Sequence, residues 1–166
     1  MAFVPARLHF AGLKDGYNMS MLLQIHPESD LLKVFATGEF SLEDAKRTFL
    51  QMLEAIALHR CTKVFLDGRK LTGNAETMER FYYGEFAANM VMKASIEKGV
   101  SVGTQFAYVL SEPLLDPNRF GETVAVNRCM NVKTFRNPEE AHQWLKIAHA
   151  NTPGGGEGNA AADSRG

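Results

Sequence analysis

The order in which apolar periods change along this chain constrains its fold more than any single motif. The stretch "MLLQIHPESDLLKVFATGEF", residues 21–40, holds two apolar runs separated by the turn formers "HPESD" and reads as an antiparallel hairpin or meander. In its second run Leu32, Val34 and Ala36 alternate with Leu31, Lys33 and Phe35, the two-residue period of a strand. Helical spacing takes over at Ser41. This serine is placed to cap the amide of Asp44, while Glu43 and Asp44 fall in the first turn, where the helix dipole favours acids. Leu42, Ala45, Phe49, Met52, Leu53 and Ile56 then recur to about His59, with Lys46, Arg47, Gln51 and Glu54 on the other face.

The alternation continues. "CTKVFLD" carries Val64, Phe65 and Leu66 in succession, which suits a strand covered on both faces. "NAETMERFYYGEFAANMVMKASIEKG" reads as a helix closed by Gly99. Thr104 to about Ser111 forms another strand, "RFGETVAVNRC" a shorter helix, and "NVKTF" a fifth strand. Asn137 and Pro138 open a last helix with Ala141, Trp144, Leu145 and Ala148 on its apolar face. Two strands, three helix–strand rounds and a final helix imply an α/β fold with a largely parallel sheet and an antiparallel hairpin at one edge. Residues 1–20 read as a loosely attached arm with a short strand at Arg7–Phe10, and residues 21–150 as the domain. Residues 151–166, "NTPGGGEGNAAADSRG", have no large apolar side chain to offset the entropy of ordering and read as a disordered tail.

Composition narrows the function. At 45 % hydrophobic and 22 % charged, the chain has the make-up of one soluble domain with a sizeable core. Eighteen basic residues against nineteen acidic ones leave a formal charge of -1 and no basic excess, which argues against a nucleic-acid partner. Cys61 and Cys129 have no C-x-x-C spacing and read as reduced, semi-buried fillers. His9, His26, His59, His142 and His149 are scattered, so no metal site is expected. The chain has no G-x-S-x-G elbow, no phosphate loop and no strand-linked G-x-G-x-x-G, so neither a catalytic residue nor a cofactor is assigned. It also lacks a secretory signal and any spanning apolar run, and reads as cytoplasmic.

Three stretches carry candidate sites. "KVFLDGRKLTG" places Asp67, Arg69, Thr72 and Gly73 after a central strand, where open α/β sheets bind ligands. It reads either as a turn with solvated basic residues or as a binding or switching loop. "ERFYYGEFAANMVMKA" spreads Met78, Phe81, Tyr82, Tyr83, Phe86, Met90 and Met92 over about two thirds of a helix circumference, more than one sheet-facing stripe requires. The surplus serves a wedged central helix, a dimer or partner interface, or an apolar ligand site, with Phe81, Tyr82 and Phe86 as its candidates. Gly84 inside that helix costs about 1 kcal/mol against alanine, a cost that makes sense where another backbone comes close. "LSEPLLDPNRF" adds Ser111 at the same sheet end, either lining a shared crevice or stiffened by its prolines.

From about Met21 to Leu145 the chain resembles the bacterial STAS-like domains of the anti-sigma-factor-antagonist type, and more narrowly the STAS/CRAL-TRIO-like branch. The resemblance is carried by "VFATGEFSLEDAKR", "KVFLDGRKLTG" and above all "ETVAVNRCMNVKTFRNPEEAHQWL", whose helix, short strand and closing "EEAHQWL" helix follow the family order. It implies a four- or five-stranded sheet with helices mainly on one face, in a non-enzymatic module. Members bind protein partners, nucleotides or lipids, and some are switched by serine phosphorylation in an Asp-Ser-Ser-Gly-Leu-like segment. The matching segment here is "DGRKLTGNAETM", which lacks that motif and offers only Thr72 and Thr77 as hydroxyls, with Thr72 the candidate phosphorylation site. The function expected is regulatory association with a protein partner or a second copy; the alternative is carriage or sensing of a small apolar, lipid-like ligand.

Overall fold

In the computed structural model, residues 20–147 are described. Most of the expected arm, the strand expected at Arg7–Phe10, Ala148 and the expected tail lie outside them. Strands β1 (Met21–Glu28) and β2 (Leu31–Glu39) form the hairpin, and helix α1 (Leu42–His59) follows. Next come β3 (Lys63–Thr72), α2 (Thr77–Lys98), β4 (Gln105–Val109), α3 (Phe120–Val126), β5 (Val132–Phe135) and α4 (Pro138–Leu145). The five strands lie side by side in chain order. β1 and β2 pair antiparallel, and β2 to β5 are parallel, so each crossover carries one helix. This is the mainly parallel sheet with an antiparallel edge hairpin expected from the sequence.

The two-residue period sorts the core into two layers. Val64 and Leu66 of β3, with Phe106 and Tyr108 of β4, face α1 and α2. Phe65, Ala107 and Val109 point the other way, where α4 covers them with Ala141 and Leu145. Helices α1 and α2 thus share one face, and α4 closes the other. Phe49 of α1 is the hub of the first layer, its ring 6.1 Å from Tyr83, 6.4 Å from Phe86 and 5.9 Å from Phe106.

The helix ends follow their sequence signals. Ser41 Oγ accepts the Asp44 amide at 3.2 Å, and Asn137 Oδ1 accepts that of Glu140 at 3.0 Å. Gly99 closes α2 in the left-handed region at φ 70. Asp44 does more than occupy a first turn. It is 5 % exposed, and its carboxylate accepts from the Ser20 amide at 3.0 Å, the Ser20 hydroxyl at 2.8 Å and the Met21 amide at 3.3 Å, while pairing with Arg47 at 2.8 Å. It thereby fastens the start of β1 to α1.

Two expectations are corrected. Asp67-Gly68 is not a turn: β3 runs on to Thr72, still paired with β2 at Glu39. From Phe35 to Thr37 β2 advances two residues while β3 advances three, from Asp67 to Lys70, so the glycine sits in a bulge. A Cβ at residue 68 would stand 2.7 Å from Leu110 Cδ2, so any larger residue there displaces that side chain. The second correction concerns Cys129, which is exposed at φ 67 beyond α3, whereas Cys61 is buried.

Candidate functional site

Helix α2 meets the sheet with small side chains. Its buried residues are Gly84, Ala87, Ala88, Val91 and Ala94. The larger Tyr83, Phe86 and Met90 flank that stripe and pack against the core only in part. A helix with so little bulk on its inner face cannot fill the space above a twisted sheet. The result is an apolar cavity of about 140 Å³ over the carboxyl ends of the parallel strands.

Ala36, Leu66, Tyr108 and Val132 supply its sheet side, and Met52, Gly84, Ala87 and Ala125 its helix side. Arg80, Asp116, Arg119 and Glu122 stand among the residues that line it, on α2, α3 and the segment between β4 and α3. Each has a structural task, Arg119 pairing with Glu122 at 3.8 Å. Arg80 donates to the carbonyls of Leu114 at 2.7 Å and Pro113 at 2.8 Å, tying the β4–α3 segment to α2. Asp116 accepts the amides of Phe120 at 2.8 Å and Asn118 at 2.9 Å. Desolvation pushes its carboxyl up, and these two amides with the charge of Arg80 outweigh that and hold it below its usual value. Glu122 takes the Thr134 amide at 2.8 Å and hydroxyl at 2.6 Å, anchoring α3 to β5.

Inside, the hydroxyls of Tyr83 and Tyr108 lie 3.1 Å apart. Burial pushes the Tyr83 hydroxyl up to about 12 and that of Tyr108 well above its ordinary value, so both stay protonated near neutrality. They meet within a lining that is mainly apolar and also includes Thr48 and Thr134.

Of the residues singled out from the sequence, Tyr83 and Gly84 line the cavity, and the remaining candidates sit elsewhere. Asp67 and Arg69 pair with one another, Asp67 accepting from Arg69 Nε at 3.0 Å and Nη2 at 2.7 Å. The Arg69 hydrogen bond is the main reason the Asp67 carboxyl lies below its usual value. Thr72 ends β3, exposed, its hydroxyl 3.3 Å from the Gly38 carbonyl, and Gly73 follows at φ 89. Phe81 stacks on Phe120 at 6.4 Å under the Arg128 guanidinium, and Phe86 lies under Lys46. Tyr82 points outward, 47 % exposed. Ser111 lies beside Glu112, Leu115 and Arg136 in a separate shallow depression. None of these remaining candidates lines the cavity, although Leu71, between Lys70 and Thr72, does. The signal that would have found the cavity is the run of small residues on the inner face of α2.

Among the described residues no cluster of three or more metal-ligating side chains occurs, and no helix is long and apolar enough to cross a membrane.

Among solved structures, the chain is similar to an anti-sigma factor antagonist from Mycobacterium paratuberculosis, at 13% identity over 78% of this chain and 97% of that one, with a TM-score of 0.49. It is also similar to an uncharacterised protein with a SpoIIAA-like fold from Shewanella loihica, at 19% identity over 81% of this chain and 99% of that one, with a TM-score of 0.39. No protein-family model and no curated protein matches the chain. The fold is read from the strand order and crossovers alone.

Proposed function

We propose that this chain is a non-enzymatic binding module that takes a small apolar molecule into the cavity between α2 and the sheet. The observation that carries this reading is the cavity itself: about 140 Å³, lined mainly by hydrocarbon and placed at the carboxyl ends of parallel strands. An engineered apolar cavity of about 150 Å³ stays dry and binds benzene, so the natural occupant is of monocyclic size or a short chain. The test is a toluene titration of protein carrying labelled methionine methyl groups. Met21, Met52 and Met130 line the cavity, whereas Met78 and Met92 are exposed on α2. Saturable shifts confined to the first three support the reading. Shifts at Met78 and Met92 alone, or no saturation, overturn it.

A second reading, regulatory association with a protein partner or another copy, is favoured by one observation. Met78, Tyr82, Met92 and Ile96 are 54%, 47%, 45% and 80% exposed. At about 100° per residue they fall in one outward stripe along α2. Exposed apolar side chains on the outer side of a helix that already packs its inner face, here with Glu85 and Asn89 between them, suit a partner surface. Concentration-dependent sedimentation tests it: one monomeric species throughout, with no partner bound through α2, removes this reading and leaves the cavity reading intact.

A further inference from the structure

The two tyrosines inside the cavity have hydrogen-bonding capacity that the protein leaves unused. Two hydroxyls carry two hydrogens, and the 3.1 Å contact between Tyr83 and Tyr108 consumes one. No other hydrogen bond from either hydroxyl occurs among the described residues, and the cavity lining is mainly apolar, with Leu66, Ala87, Met130 and Val132 beside the polar Thr48, Glu79 and Thr134. One donor and several lone pairs therefore remain in a mainly apolar setting, where an unmet polar group is costly. Nothing in the fold demands the pair: phenylalanine at both positions would fill the same space without leaving a hydroxyl to satisfy.

We propose that the Tyr83–Tyr108 pair is the polar anchor of the cavity and selects, among molecules of benzene size, those carrying one hydroxyl. The inference rests on the apolar-ligand reading above and adds its chemical class: a phenol or a comparably small, otherwise apolar alcohol. Such a hydroxyl completes the pair in both senses, accepting the spare tyrosine hydrogen and donating its own to a tyrosine lone pair. The protonated state of both tyrosines near neutrality keeps the spare donor in place. A phenolate is disfavoured, because the same burial that raises the tyrosine values penalises any anion there.

The experiment compares p-cresol with toluene, which differ by the hydroxyl alone, by calorimetry and methyl shifts on wild-type protein and on Tyr83→Phe, Tyr108→Phe and the double variant. Wild type is expected to bind p-cresol about tenfold more tightly than toluene. Each single variant keeps one hydroxyl and is expected to retain most of that preference. The double variant is expected to reverse it, because the cresol hydroxyl is then buried without a partner. Removing both members of a hydrogen-bonded pair in favour of isosteric rings is close to neutral for stability, so the double variant folds. If it does not, the wild-type comparison decides by itself. Toluene binding with no preference for p-cresol in wild type overturns the anchor and leaves the cavity reading standing. A double variant with undiminished preference also overturns it. Failure of both compounds to bind wild type removes the cavity reading itself.

Discussion

Replacing Gly84 by alanine sets two effects of similar size against each other, and the structure decides between them. Alanine is about 1 kcal/mol better than glycine inside a helix, so propensity alone predicts stabilisation. A Cβ at residue 84, however, would stand 2.6 Å from the Gly121 carbonyl oxygen and 3.3 Å from both Val124 Cβ and Cγ1. The obstacle at 2.6 Å is backbone and cannot rotate away. Helix α3 must move off α2 by a large fraction of an ångström, and a gap of about 0.5–1 Å forfeits a quarter to a half of each dispersion contact across it. Overpacking costs about 1–3 kcal/mol. The upper part of that range applies here, because the shift also disturbs the Phe81–Phe120 stack and the Glu122–Thr134 anchor. Less the propensity gain, the net loss is about 1–2 kcal/mol, a fall in Tm of roughly 2–8 °C. Urea unfolding of Gly84→Ala measures it, with Asn89→Ala as control. Asn89 is exposed on the same helix, so propensity acts there alone and stability rises by up to about 0.7 kcal/mol. A Gly84→Ala variant as stable as wild type, or more so, would refute the close α2–α3 approach.

Asp44→Asn leaves the amides of Ser20 and Met21 facing a weaker, neutral acceptor, and is expected to cost about 1–3 kcal/mol near neutrality. Burial raises the Asp44 carboxyl, but its hydrogen bonds from Ser20 and Met21 and the charge of Arg47 outweigh this and hold it below its usual value. Its stabilisation is therefore fully present above the ordinary carboxylate range and lost as pH falls through the lower folded value. Unfolding curves in acid should show a flatter pH dependence for Asp44→Asn; an identical slope contradicts the assignment. Tyr82→Ala and Phe86→Ala should separate surface from core. The first is expected to change stability by less than about 0.5 kcal/mol while weakening any α2-mediated association, and the second to cost about 2 kcal/mol through the lost edge contact with Phe49. Equal unfolding midpoints for the two would sink that distinction.

What could be read from the sequence, and what could not, divides along a physical line. The order of strands and helices was legible because each element announces its own period: two residues in Leu31–Ala36, near four in Leu42–Ile56, with Ser41, Gly99 and Asn137-Pro138 marking ends. Gly84 was legible as a site of close backbone approach, because a helical glycine carries a cost that packing must offset. Asp67-Gly68 was misread because the dipeptide is a local turn signal, whereas its role as a bulge depends on pairing with β2 and on the space under Leu110. Asp44 looked like a first-turn acid; its burial depends on Ser20 and Met21, more than twenty positions away in sequence. The cavity was least legible of all. It arises from what is missing at Ala36, Gly84, Ala87 and Ala125, residues far apart in the chain that only the fold brings together.

The proposed binding role requires a preformed apolar site between α2 and the sheet. Its most direct test is the electron density of a crystal of this protein pressurised with xenon, which enters dry apolar cavities of this size. One strong xenon peak is expected between Ala87 of α2 and Leu66 and Tyr108 of the sheet, with the surrounding side chains unmoved. Continuous side-chain density filling that volume, or a chain of ordered waters in it, would show that no dry apolar site exists there.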